Sequence, residues 1–195
     1  MSRSLAERDG MELTADLVEA KCSEYPDHQP LSAVEEEHLE MLPKTFASGD
    51  YGWRDAEWVV QWYYRRLLGS YSNAERRAAE ESYDENTYED VHVAIAGAVE
   101  AETTAEKLAS LTTLSGVDVP VASAFLQFLA PDRYVVVSQR EWGVLYRAGE
   151  LDDEYPDPPA VPDYERYLET VQSIADRFDC DAQELYRALW LLGED

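Results

Sequence analysis

Cysteine, histidine and lysine are all scarce in this chain. Its two cysteines, Cys22 and Cys180, lie far apart and show no metal-ligand spacing, so neither a disulfide framework nor a structural zinc site is expected. Three histidines, His28, His38 and His92, suggest no Ser/His/Asp arrangement. Long apolar runs are missing as well. The longest near-apolar stretch, residues 91–99, contains His92 and is far shorter than a bilayer span requires. The first ten residues carry no apolar run of the signal-peptide kind. The expectation is a cytoplasmic protein with no membrane partner.

What is abundant is negative charge. Among 195 residues, 41 are Asp or Glu and 16 are Lys or Arg, a net charge of −25. The lysines are only Lys21, Lys44 and Lys107. Many carboxylates with so little lysine point to adaptation to high salt, where self-repulsion is screened within about 3 Å. Hydrophobic residues make up 45%, with 5 Trp and 13 Tyr, enough to bury a sizeable core in one domain or in two small helical lobes.

Helix signals dominate the chain. Ser32-x-x-Glu35 reads as a capping box opening a helix toward Leu42, closed by Pro43, with residues 44–52 as a loop. Residues 54–68 form an aromatic helix with Trp58 and Trp62 at i, i+4, ended by Gly69. Helices are expected over about 73–81 and 88–101, and Thr103-x-x-Glu106 caps another to Thr112. An apolar helix over 121–129 follows Leu114-Ser-Gly-Val-Asp-Val-Pro. Tyr134-Val-Val-Val is too short and isolated to build a sheet and reads as an extended connector. Ser138 opens a helix to about Ala148, four prolines fill a linker, and helices over about 163–178 and 182–192 finish the chain. The segments are thus 1–52, a core over 53–148 with its helical hairpin at about 104–130, a Pro-rich linker over 149–162, and 163–195 packing back on the core.

The turn between the two hairpin helices carries chemistry. Gly116 permits a tight turn, and amides at the next helix's N-terminus bear a partial positive charge that suits a phosphate. Leu114, Gly116, Val117, Ala122, Pro131 and Val135-Val-Val occur in the order seen in one family. Residues 108–145 resemble the helix-hairpin-helix segment of the DNA glycosylase superfamily, the endonuclease III and 8-oxoguanine glycosylase types. The tail, with Tyr164-x-x-Tyr167 and Leu185-Tyr-Arg-Ala-Leu-Trp190, is similar to a divergent prokaryotic branch near the 8-oxoguanine enzymes, of haloarchaeal character. The resemblance implies an all-α fold of two lobes around a DNA-binding cleft. Gly116, Val117, Asp118 and Val119 would then contact nucleic acid, together with Arg65, Arg66 and Arg140.

The chain departs from that family where its chemistry resides. The lysine nucleophile's position holds Pro120, and the catalytic aspartate's position, eighteen residues on in the family, holds Ser138. A serine hydroxyl cannot stabilise an oxocarbenium-like centre, nor activate water at neutral pH without a base beside it. Ser138-Gln-Arg-Glu141 also reads as a capping box, leaving Glu141 either as cap or as substitute acid. The hairpin's second glycine is replaced by Asp118, which would repel a phosphate unless a monovalent cation bridges them. Apart from such an ion no cofactor is expected. Residues 61–79 hold Arg65, Arg66, Arg76 and Arg77 against one acid, Glu75, locally +3. They form either a phosphate-contacting edge or helix-end arginines paired with nearby acids. The aromatic stripe Trp53, Trp58, Trp62, Tyr63 and Tyr64 is either core or a platform for a flipped base. Three functions follow: double-stranded DNA or lesion binding without catalysis, a protein-interaction module on the same fold, or a monofunctional glycosylase using Glu141.

Lowering KCl from about 1 M to about 0.1 M lengthens the screening distance from ~3 to ~10 Å. The thermal midpoint should fall steadily across that series. A midpoint indifferent to salt would detach the acidity from salt adaptation.

Overall fold

A computed structural model describes residues 11–193, and these form ten α-helices and no strand. None of them is long and apolar enough to cross a membrane. Helix starts follow local chemistry. Reciprocal capping boxes open α4 (Asn73–Tyr83) at Ser72 and Glu75, α5 (Tyr88–Glu100) at Thr87 and Asp90, and α6 (Thr104–Leu111) at Thr103 and Glu106. Each hydroxyl accepts from an amide three residues on, and each carboxylate reaches back to the cap's own N–H, so two orphan donors are satisfied at once.

The chain divides into two compact units. The first is Gln29–Val136. At its centre is α7 (Val119–Leu129), in which residues 120–128 are buried without interruption. A helix with no solvent-facing side must be covered all round. Here α2 (Ser32–Ser48), α3 (Trp53–Arg65) and α6 supply the cover. Phe128 meets Trp58 and Trp62 edge to face at 5.1 and 4.9 Å between ring centroids. Residues 134–136 are buried and lie in neither helix nor strand, and Val136 N donates 2.8 Å to the Gln127 side chain on α7 instead of to a neighbouring strand.

Two local expectations fail at α2. Its N-cap is Leu31 with no side-chain cap bond, and Glu35 is fully buried, accepting from Trp62 Nε1 at 3.2 Å. A long-range indole donor thus takes the carboxylate that Ser32 was expected to hold. The helix also continues through Pro43 to Ser48. Leu42 and Phe46, one turn apart and both buried, hold the backbone helical across the missing N–H. Its end is Gly49, left-handed at φ 74°.

The second unit joins residues 11–28 to 137–193 and contains α1 (Ala15–His28), α8 (Gln139–Arg147), α9 (Val161–Phe178) and α10 (Ala182–Leu192). Segmentation at 52/53 and 148/149 therefore misplaces α1. It packs along α10, with Tyr25 edge-on to Trp190 at 5.3 Å. The stretch before α9 is tied down by Leu151, which is buried, and by Asp153, which accepts from Trp142 Nε1 through its carbonyl and from Arg166 through its carboxylate. α9 starts at Val161 with Pro162 in its first turn, where no amide is missed.

The capping bonds hold the carboxyls of Glu75, Asp90 and Glu106 below their ordinary range. A depressed folded pKa adds stability that is complete above the unfolded value and lost as pH falls through the folded one. In molar KCl the thermal midpoint should decline as pH drops below about 4.5, the ordinary Glu value. A Thr87→Ala/Thr103→Ala variant should start lower and decline less, and parallel curves would refute the cap assignment.

Candidate functional site

The hairpin turn lies within the first unit, between α6 and α7. Gly116 has φ 73°, and a Cβ there would come within 2.9 Å of Tyr83 N and 3.1 Å of Ala79 O. The turn therefore rests on the C-terminal end of α4, and glycine is needed for conformation and for clearance. Asn86 grips the turn from both sides: its Oδ1 accepts from Ser115 N at 2.9 Å, and its Nδ2 donates to Ser115 O at 3.0 Å. Val117 N donates to Leu114 O at 3.2 Å, and both side chains are buried. Two of the amides a phosphate would seek are thus already bonded. Nothing in the sequence pattern singled out Asn86, because its partner stands 29 residues away.

Asp118 takes the remaining role. It is the N-cap of α7, with Oδ1 accepting from Val121 N at 3.1 Å and its carbonyl from Ala122 N at 2.8 Å. Burial first, and then the Asp118 charge, push the Tyr64 phenol well above its ordinary pKa. The positive end of α7 is therefore answered by the chain's own anion. Asp84 and Glu85, exposed next to Asn86, add further negative charge. Val119 is half-buried, and Pro120 is buried in the first turn of α7, where it loses no bond and offers no nucleophile.

Ser138 and Glu141 belong to the second unit, and both are buried. Ser138 is the N-cap of α8: Oγ accepts from Arg140 N at 3.2 Å and donates its proton to the Glu141 carboxylate. Glu141 thus reaches back to the cap's hydroxyl, where the expected box has the cap's backbone N–H.

Two of the three arginines proposed for nucleic acid do not face solvent freely. Arg66 is fully buried, its guanidinium 5.3 Å from the ring centroids of both Trp62 and Tyr63. Arg140 lies 3.7 Å over the Trp190 ring and donates from Nε to Trp190 O at 2.6 Å. Both serve as packing cations, because a guanidinium is weakly hydrated and stacks well on aromatic faces. Arg65 is exposed and paired with Glu80 at 3.1 Å. Arg76 donates to Asn73 at 2.7 Å, and Arg77 is exposed with no ion pair among the described residues. Trp62 and Tyr63 are core, and Trp58 is half-buried, stacked on His38 at 3.7 Å.

Among the described residues no group of three or more His, Cys, Asp or Glu side chains is placed to hold a metal ion. Cys22 and Cys180 form no disulfide among the described residues, and burial raises the Cys180 pKa to about 11. Comparison with protein-family models, with curated proteins and with solved structures finds no match.

Replacing Asp118 by Ala should destabilise the fold by about 1 kcal/mol through loss of the α7 cap. Gly116→Ala should cost more, since left-handed strain adds roughly 1–2 kcal/mol before any clash with α4. Denaturant midpoints in molar KCl would check both, and an unchanged midpoint for Gly116→Ala would contradict the turn geometry.

Proposed function

We propose that this chain is a non-catalytic module of the helix-hairpin-helix type, which acts by binding a positively charged protein surface. The observation that carries the reading is Asp118. Its carboxylate caps the helix end to which the glycosylase resemblance would bring a phosphate. With Asp84 and Glu85 exposed nearby, the hairpin attracts cations and repels a phosphodiester. Pro120 and Ser138 supply neither an amine nor a carboxylate for base excision, and Glu141 is occupied by Ser138.

A second reading, duplex DNA or lesion binding without catalysis, is favoured by two observations. Gly116 keeps the left-handed turn of a phosphate-binding hairpin, and Arg65 and Arg77 remain exposed on the same unit. On that reading a monovalent cation at the hairpin offsets Asp118.

The two are separated by titration of a labelled duplex containing an abasic site, at several KCl concentrations. Under the first reading the wild type shows no saturable binding at the lowest salt that keeps it folded, and no base is released from damaged DNA. Saturable binding that tightens in Asp118→Gly, and whose salt slope drops by about one unit in Arg65→Ala or Arg77→Ala, would establish the DNA reading. Base release abolished by Glu141→Gln would overturn both. A chemical-shift titration with an arginine-rich peptide in molar KCl tests the partner. Shifts confined to Asp84, Glu85 and Asp118 support it, and shifts scattered over the acidic surface sink it.

A further inference from the structure

α4 is held from one side. Of its eleven residues only Tyr83 is buried, α3 packs along it, and the hairpin turn rests on its C-terminal end. The other side is open. Ala74, Arg77, Ala78 and Glu81 are exposed at i, i+3, i+4 and i+7, which is one stripe of an α-helix, and Asp84 and Glu85 follow, also exposed, at the helix end. The charges along that side run against the helix. A helix C-terminus carries partial negative charge and favours cations. The last turn of α4 has no basic residue; Glu80 and Glu81 stand there with Asp84 at the C-cap, while Arg76 and Arg77 sit toward the positive end. Arg65 reaches across from α3 and answers Glu80 at 3.1 Å. Arg77, Glu81, Asp84 and Glu85 have no ion pair among the described residues. The open face thus has a cation toward one end and carboxylates toward the other, and it is its own complement when turned end for end.

We infer that this face binds the same face of a second copy of the chain, α4 against α4, antiparallel about a twofold axis. The inference rests on the reading that the acidic hairpin end attracts a positive protein surface, and it names that surface. Arg77 of one copy meets Glu81 of the other, and the helices cross beside Ala78, whose small side chain lets them approach. Symmetry supplies each contact twice, so one arginine and one glutamate in the sequence become two ion pairs. Asp84 stands one turn beyond Glu81 and adds to the field that the arginine enters. A purely basic partner would set a like charge against Arg77, and a purely acidic one would do so at Glu81 and Asp84. A second copy matches both ends at once. The contact is small, in the transient class below about 1,200 Å².

Sedimentation equilibrium of the full chain tests this in molar KCl, where repulsion between two chains of net charge −25 is screened beyond about 3 Å. Wild type should dimerise reversibly at concentrations up to about 1 mM. Arg77→Glu and Glu81→Arg should each weaken self-association by roughly tenfold or more, because each sets like charges face to face twice. An equimolar mixture of the two variants should restore the dimer, as should Arg77→Glu/Glu81→Arg on one chain, since both arrangements put opposite charges back in register. All four positions of the swap are at the surface, so circular dichroism should show the same fold throughout. A dimer whose affinity is unchanged by Arg77→Glu, or a mixture no tighter than its components, would overturn the inference. The arginine-rich peptide separates it from the reading it rests on. A wild type that stays monomeric while the peptide shifts Asp84, Glu85 and Asp118 removes the second copy and leaves the acidic hairpin as a binding surface. A monomer that ignores the peptide removes both.

Discussion

α7 has no solvent-facing side, and the architecture of its unit follows from that. Nine consecutive residues, 120–128, must lose contact with water together. Three helices are recruited to do it: α2, α3 with its aromatic row, and α6 through the hairpin. At the hairpin end, side-chain chemistry reaches solvent at the cap and the turn, Asp118 and Ser115. The sign of the hairpin surface therefore depends on very few residues. Asp118 makes it negative, and the same carboxylate secures the first turn of the helix that everything else covers.

A second constraint is the shortage of cations. With 16 basic side chains against 41 acidic ones, a basic patch would have to be assembled deliberately. Instead several guanidinium groups serve packing and carbonyls. Arg66 stacks within the core, Arg140 lies on Trp190, and Arg147 donates to Leu192 O at 3.1 Å, where α10 leaves a carbonyl without a helical partner. In concentrated salt this allocation is physically sensible. Counterion release drives little binding there, whereas stacking and buried hydrogen bonds are barely screened.

Buried polar groups tie the aromatic core together with directional bonds. Glu35 accepts from Trp62, and Arg66 lies beside that indole. Gln29 donates to Arg66 O at 2.9 Å while accepting from Leu31 N at 3.1 Å. The start of α2 is thus keyed to the end of α3 by directional bonds that tolerate one register. Removing a single partner would strand a buried polar or charged group, which costs more than the bonds contribute net.

Helix class, most helix boundaries, the strand-free connector, the capping box at Thr103 and the N-cap at Ser138 were legible in the sequence. Each depends on residues within four positions of one another or on an apolar period. Gly116 was legible as a turn for the same reason. The places where reading failed depend on packing beyond the local sequence. Glu35 serves Trp62 and not Ser32, Pro43 lies inside a helix whose Leu42 and Phe46 are buried, and α1 joins the C-terminal helices. Among the candidate residues, the residue types at Pro120, Asp118 and Ser138 could be weighed directly. The grip of Asn86, the burial of Arg66 and the seat of Arg140 on Trp190 could not. Local hydrogen bonding and periodicity are written into neighbouring residues, whereas whether an arginine faces water or an indole is decided only when distant helices close over it.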